Sequence, residues 1–333
     1  MNIKCLYLTL FSYLGIIVSG QTVYATENTR LSNALNPKVA PGGNFDLSIW
    51  SLQLPTGEGT SPTTIHPAQL VGAYGYTDSN YFYSDKADGA MTLMDPQQGI
   101  TTSGSSHCRT ELREMTPDGA AAAWEGSGTN TMIITGAIAQ VGGGSGGHVA
   151  LGQVFNSTDG IPLCELEYYT AVNGFKVLYE EAKGAGIYFD LNTPCAVNTK
   201  YTFSLSISNN ALVIFLNGKQ VFSKTPGFSS KQFYFKCGCY DQTAIAGAPL
   251  ITPYTTVKIY SISVRHDLVA SSLSVSYKQS LCTREIVTRG VMHLSGATTL
   301  LDGKSPITGI AANGQKWALR NQGFYVRQIP PRD

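Results

Sequence analysis

Four charges fall within six residues at Arg109-Thr110-Glu111-Leu112-Arg113-Glu114, in a chain where only 14% of residues are charged. In a strand, alternation places Arg109, Glu111 and Arg113 on one face, with His107 two residues earlier on that face. Two cations flanking a carboxylate can hold an anionic group or line a solvated surface strand, and this run by itself leaves both open. A second segment, Tyr234-Phe235-Lys236-Cys237-Gly238-Cys239-Tyr240-Asp241-Gln242, puts Tyr234, Lys236, Gly238 and Tyr240 on a single face, again joining a cation to phenols. A third, Gly152-Gln153-Val154-Phe155, points an amide and an aromatic ring the same way. Cations, an amide and phenols are groups that can neutralise a carboxylate and move a proton beside it.

Such a set needs a rigid sheet beneath it, and the chain is patterned for one. Phe45 to Pro55 alternates apolar and polar residues like a first strand. Further alternating runs lie at 80–84, 90–94, 130–141, 148–155, 163–170, 175–180, 200–207, 211–216, 231–240 and 255–265, separated by Gly, Asn, Pro or Asp turns. Many short strands without helical periodicity predict an all-β sandwich or jelly roll. Asn217-Gly218 predicts a hairpin, because a type I′ turn needs positive φ at both central residues.

The 333 residues are 43% hydrophobic and 10% aromatic, enough for a large core in one main domain. The expected organisation is a signal peptide over 1–25, a linker over 26–43, the sandwich over 44–267 and a C-terminal tail over 268–333. Lys4, the apolar stretch Cys5 to Val18 and the small-residue site Val23-Tyr24-Ala25 carry the export signal. A membrane anchor is the rival reading, but Ser12, Gly15 and Ser19 break the stretch. The tail carries eight Lys/Arg (278, 284, 289, 304, 316, 320, 327, 332) against three acids (285, 302, 333) and has a weak strand pattern. No Lys/Arg cluster or nucleic-acid motif is present, so no nucleic-acid partner is expected. Export leaves Cys108, Cys164, Cys195, Cys237, Cys239 and Cys282 in an oxidising compartment, which predicts disulfides. Cys237 and Cys239 would alternate to the same strand face, too tight to pair with each other. Paired C-x-x-C knuckles are absent, so no metal is expected.

In their order along the chain, Trp50-Ser51-Leu52-Gln53-Leu54-Pro55, the Arg109-to-Glu114 run, Gly152-Gln153-Val154 and Tyr234-to-Gln242 resemble polysaccharide lyase family 7, the alginate lyases, and the related β-glucuronan lyases. The resemblance covers roughly residues 44 to 267. It implies a concanavalin-like jelly roll of two antiparallel sheets and β-elimination on an acidic polysaccharide, without a cofactor. Arg109 and Gln153 then look like the groups that neutralise the uronate carboxylate as the C5 proton leaves, and Tyr240 like the proton donor to O4. Arg113, Glu111, Lys236, Tyr234, Gln242 and His148 look like substrate contacts. A secreted monomer with no membrane partner is the expected form.

One departure stands out. The alginate lyases usually carry Gln-x-His with that His as base, and here the matching residue is Phe155. Either Tyr240 takes the proton and returns it, or His107 serves as base, or activity is lost and the chain is a non-catalytic glycan-binding jelly roll. Hydrolysis is a further alternative, with Glu111 and Glu165 or Glu167 as its carboxyl pair. The sequon Asn156-Ser157-Thr158 would matter only on a eukaryotic secretory route.

Overall fold

A computed structural model describes residues 34–227 and 230–267, and six short strands between Val275 and Gln328. The expected signal peptide lies outside the described residues, and so does Cys282. Two antiparallel sheets carry the fold. The larger runs, edge to edge, Ile187–Pro194, Gly174–Tyr179, Ile161–Tyr169, His148–Asn156, Gln232–Asp241, Thr110–Glu114, Trp50–Glu58 and Ser61–Ile65. The smaller runs Lys219–Lys224, Ala211–Leu216, Lys200–Ser208, Thr129–Gln140, Pro253–Asp267, Met91–Pro96 and Phe82–Ser84. This is the jelly-roll sandwich that the strand pattern predicts. In the tail, Val275–Ser276, Gly290–Leu294 and Ala297–Leu301 form one small antiparallel sheet, and Ile307–Ile310, Lys316–Leu319 and Arg327–Gln328 another.

The core lies between the two sheets. Leu112, Phe235, Cys237 and Val154 of the larger sheet are buried with Met132, Ile134, Phe203, Leu205, Ile214, Val257 and Ile259 of the smaller. Gly152 is small for a reason, since a Cβ there would stand 2.8 Å from the Phe203 ring. The hairpin forms as expected, with Asn217 at φ 50° and Gly218 at φ 79° joining Ala211–Leu216 to Lys219–Lys224. The first strand begins later than its alternation suggests. Asp46 accepts from both the amide and the hydroxyl of Ser48, and the Trp50 amide donates to Leu47 O, so Phe45 to Ile49 turns and pairing starts at Trp50.

The expectation of disulfides is not met among the described residues. Cys108, Cys164, Cys195, Cys237 and Cys239 are all buried free thiols. Their sulfurs end in the sandwich interior or against backbone, Cys108 at 3.5 Å from Pro96 O and Cys239 at 3.5 Å from Thr255 O. These cysteines behave as small core side chains, and burial pushes their thiols up in pKa.

The central strand Gln232–Asp241 is irregular where it matters. Lys236 stands opposite Gln153 and Cys237 opposite Gly152, but the next pair is Tyr240 with Ala150, so a bulge occupies 238–239 on this side. Gly238 adopts φ +147° there, and an added Cβ would lie 2.7 Å from Thr110 O. Alternation keeps Tyr240 on the same face as Lys236, and the register shift sets it beside Ala150, a small neighbour. Gly238→Ala should therefore cost about 2 kcal/mol of stability and displace Tyr240. Urea unfolding of the variant, with its rate measured in parallel, checks both effects.

Candidate active site

The outer face of the larger sheet brings the expected residues together. Cross-strand pairing sets Arg113, Lys236, Gln153 and Glu165 in one row across four strands. Glu111 pairs with Gln53 on one side and Gly238 on the other. With no side chain at Gly238, Glu111 reaches across to the next strands.

Glu111 is the centre of the cluster. Its carboxylate, only 2% exposed, accepts from Arg109 Nη1 at 3.1 Å, from Lys236 Nζ at 2.5 Å and from Gln153 Nε2. Burial alone would raise its pKa, but Lys236 and then Arg109 hold it below the usual carboxylate range. Burial, followed by repulsion from Arg109, pulls the Lys236 ammonium below its usual value, with Glu111 opposing. The sequence reading placed Glu111 among substrate contacts, whereas its oxygens are already taken by three donors. Its place is to aim those donors. That occupancy also removes Glu111 from a hydrolytic carboxyl pair.

Tyr240 adjoins this cluster. The Arg109 guanidinium lies 3.5 Å from the centre of its ring, and its hydroxyl is 3.0 Å from Ser105 Oγ. Ser105 also receives a hydrogen bond from Arg109 Nη2 at 2.9 Å and donates to His107 O at 2.9 Å. Ser105 is a residue the sequence reading missed, and its place in a Thr101-to-His107 loop of small polar residues gave no periodic signal. Burial raises the pKa of Tyr240 and Arg109 lowers it, the first prevailing, so the phenol is protonated at neutral pH.

His107 was expected on the strand face with Arg109. The strand starts only at Thr110, and both residues sit in the preceding loop, which Ser105 draws toward Tyr240. His107 Nδ1 is 2.6 Å from Ala244 O and so carries the proton, leaving Nε2 as an acceptor. Its ring centre is 6.3 Å from that of Tyr240. Behind them, Asp241 accepts from Thr243 N and Ala244 N and fixes the turn that holds His107.

Phe155, where the family resemblance leads one to expect a base, is a packed ring. Its ring packs against Tyr234 at 5.1 Å, and Lys236 Nζ lies 5.6 Å from its centre. Arg113 stands 4.3 Å above the Tyr234 ring. The Nε groups of Arg109 and Arg113 and the Nε2 of Gln53 are buried without a protein acceptor. Around Glu111, three orphaned donors beside three cations make a cluster that is short of acceptors and net positive.

Gln242 donates to Tyr240 O at 3.3 Å. His148 stacks on Tyr169 at 4.5 Å, with Nε2 3.9 Å from Glu167. His66 and His266 lie elsewhere: His266 joins Glu114 and Asn130, and His66 starts a one-turn helix at Pro67–Leu70. Asn156 of the sequon is fully buried and its side chain is held by Asp159 and the following amides, which leaves no access for glycosylation.

A net positive cluster beside a buried tyrosine on the outer face of a jelly roll is an arrangement suited to a polysaccharide lyase. Comparison with known proteins gives the family: a sequence profile described as alginate lyase matches residues 45–266, and the chain belongs to that family. An alginate lyase of Klebsiella pneumoniae is 32% identical over 125 residues, 37% of this chain and 38% of that relative. The match therefore spans well under half of its length. The crystal structure of alginate lyase A1-II', a member of polysaccharide lyase family 7, superposes with a TM-score of 0.58 at 31% identity, covering 69% of this chain and all of that one. A variant of the same enzyme in complex with a substrate written GGMG gives a TM-score of 0.59 at 31% identity, over 70% of this chain and 99% of that one.

Removing the central acceptor should undo the cluster. Glu111→Gln should lower stability by about 3 kcal/mol, because it leaves buried cations uncompensated. Glu58→Gln, on an exposed part of the neighbouring strand, should change it by less than about 0.5 kcal/mol. Urea unfolding of the two variants provides the comparison.

Proposed function

We propose that this chain is an exported lyase that cleaves 1,4-linked uronate polymers by β-elimination, with mannuronate-rich alginate or β-glucuronan preferred to polyguluronate. The observation that carries the reading is the acceptor-poor face around Glu111 next to a buried tyrosine. A uronate carboxylate supplies the acceptors that Arg109, Arg113 and Gln53 lack, and the second N–H of Gln153 can meet charge as it develops. As the C5–H bond breaks, its electron pair moves into the C4–C5 double bond and the bond to O4 breaks. Neutralising the carboxylate first makes that proton removable.

The substrate preference follows from Phe155. In β-linked mannuronate and glucuronate, the C5 hydrogen and O4 lie on the same side of the ring, and in guluronate they lie on opposite sides. With an apolar ring where a separate base would stand, Tyr240 is placed to take the proton and return it to O4 from one side. The Arg109 guanidinium against its ring and the Ser105 hydroxyl lower the cost of the tyrosinate. A second reading assigns the base to His107, and its free Nε2 near Tyr240 favours it. Export rests on Lys4 and the apolar stretch Cys5 to Val18.

Incubation with alginate, β-glucuronan and block polymers, followed by the ultraviolet absorbance of the new conjugated double bond, tests the activity. A glycan-binding protein without catalysis would bind these polymers and give no signal. Tyr240→Phe should lower kcat at least about a hundredfold with little change in polymer binding. Because burial raises the tyrosine pKa, the tyrosinate fraction grows with pH, and kcat/KM should climb from neutral into alkaline solution. A flat profile would remove tyrosinate as the base. Initial rates should rank polymannuronate or β-glucuronan above polyguluronate, and faster polyguluronate cleavage that disappears in His107→Ala would assign the base to His107.

A further inference from the structure

Ser105 Oγ has more polar neighbours than one hydroxyl can serve at once. Arg109 Nη2 donates to it at 2.9 Å and the His107 amide at 3.2 Å, while His107 O at 2.9 Å and the Tyr240 oxygen at 3.0 Å lie within reach of its hydrogen. A hydroxyl carries one hydrogen and two lone pairs. Guanidinium and amide N–H groups only donate, so these two fill both lone pairs, and Ser105 has none left to accept from Tyr240. The Tyr240 hydroxyl has no other hydrogen-bond partner among the described residues. Its own proton is therefore free to point at a bound glycan, and only the Ser105 hydrogen can make the 3.0 Å contact.

His107 O and the Tyr240 oxygen compete for that hydrogen. A peptide carbonyl is a better acceptor than a neutral phenol, whose lone pair is shared with its ring. A tyrosinate reverses the order, because a hydrogen bond to a charged acceptor is roughly twice as strong. Turning the hydroxyl hydrogen moves no heavy atom, and Arg109 and the His107 amide hold the oxygen in place meanwhile. His107 is half-buried, so its released carbonyl can turn to solvent.

We propose that Ser105 is a positioning residue for the elimination, a hydroxyl rotor that rests on His107 O and turns to Tyr240 whenever that residue is ionised. This rests on the reading of Tyr240 as the group that takes the C5 proton. The Ser105 proton never leaves its oxygen. The proton that moves passes from C5 to the tyrosinate and on to O4, as the C5–H electron pair forms the C4–C5 double bond and the C4–O4 bond breaks. Tyr240 ends as a tyrosinate, ready for the next unit.

Other charges face Tyr240: Arg109 and His107 from the loop, Glu111 from Thr110–Glu114, Glu165 from Ile161–Tyr169 and Lys236 on its own strand. Glu165, raised to about 7 by burial and then by Glu111, and Lys236, lowered to about 8 by burial and then by Arg109, titrate in the same range. Neither is bonded to Ser105, so the displacement between Ser105 variants, rather than any one profile, reads the rotor.

Tyr240 ionisation is read as the alkaline rise in tyrosinate absorbance of each protein minus that of the same protein carrying Tyr240→Phe. The kcat/KM on alginate and β-glucuronan is followed over the same pH range. Ser105→Ala should move both midpoints up by about one pH unit, the worth of one hydrogen bond to a charged group. At neutral pH its kcat/KM should fall about threefold with KM little changed, since a tenfold smaller tyrosinate fraction is offset in part by a stronger base. Ser105→Thr keeps the hydroxyl and should recover most of the loss. Where Ser105→Ala does not fold, Ser105→Cys, close in size but a weak donor, should shift both midpoints in the same direction. A loss by the same factor at every pH, with the Tyr240 titration unmoved, would mark a merely structural serine and overturn the proposal. A displaced titration without a displaced kcat/KM profile would put the hydrogen bond outside the reaction and overturn it as well. A wild-type protein that forms no double bond overturns the lyase reading, whereas an unmoved titration in an active protein overturns this inference alone.

Discussion

The outer face of this jelly roll is organised by one buried carboxylate. Glu111 gathers Arg109, Lys236 and Gln153 from three separate segments, and without it two like charges would be forced together in a poorly solvated place. The arrangement works in both directions. The cations keep Glu111 ionised, and Glu111 holds their donors at fixed positions while leaving other N–H groups open. On the function proposed here, an acidic glycan would present acceptors to this cluster of donors.

Packing on the opposite side of the sheet permits that cluster. Gly152 makes room for Phe203, and Gly238, where a Cβ would meet Thr110 O, allows the register shift that sets Tyr240 beside Ala150. Ser105 then links the tyrosine, Arg109 and the backbone of His107. The chemistry therefore depends on residues without chemistry of their own: two glycines, an alanine and a serine. Each is fixed by a steric or hydrogen-bonding demand of the sandwich.

The same face divides in character along the row from Arg113 to Glu165. Cations dominate one half, and the buried carboxyls Glu165 and Glu167 occupy the other, with Gln153 at the boundary. Phe155 adds an apolar ring where the family resemblance calls for a base.

Much of this was legible in the sequence. Period-two alternation located nearly every strand of both sheets, because a residue on a half-buried strand meets core or solvent by parity alone. The same parity put Glu111, Lys236, Gln153 and Tyr240 on site-facing positions, and Asn217-Gly218 marked its hairpin. What the sequence did not determine depends on distance across strands. Free thiols in place of disulfides, the loop position of His107, the part played by Ser105, the three donors on Glu111 and the burial of Glu165 and Glu167 all follow from which strands are neighbours and where a bulge shifts the register. Alternation fixes the face a side chain points to; only the packed sheets fix what it meets there.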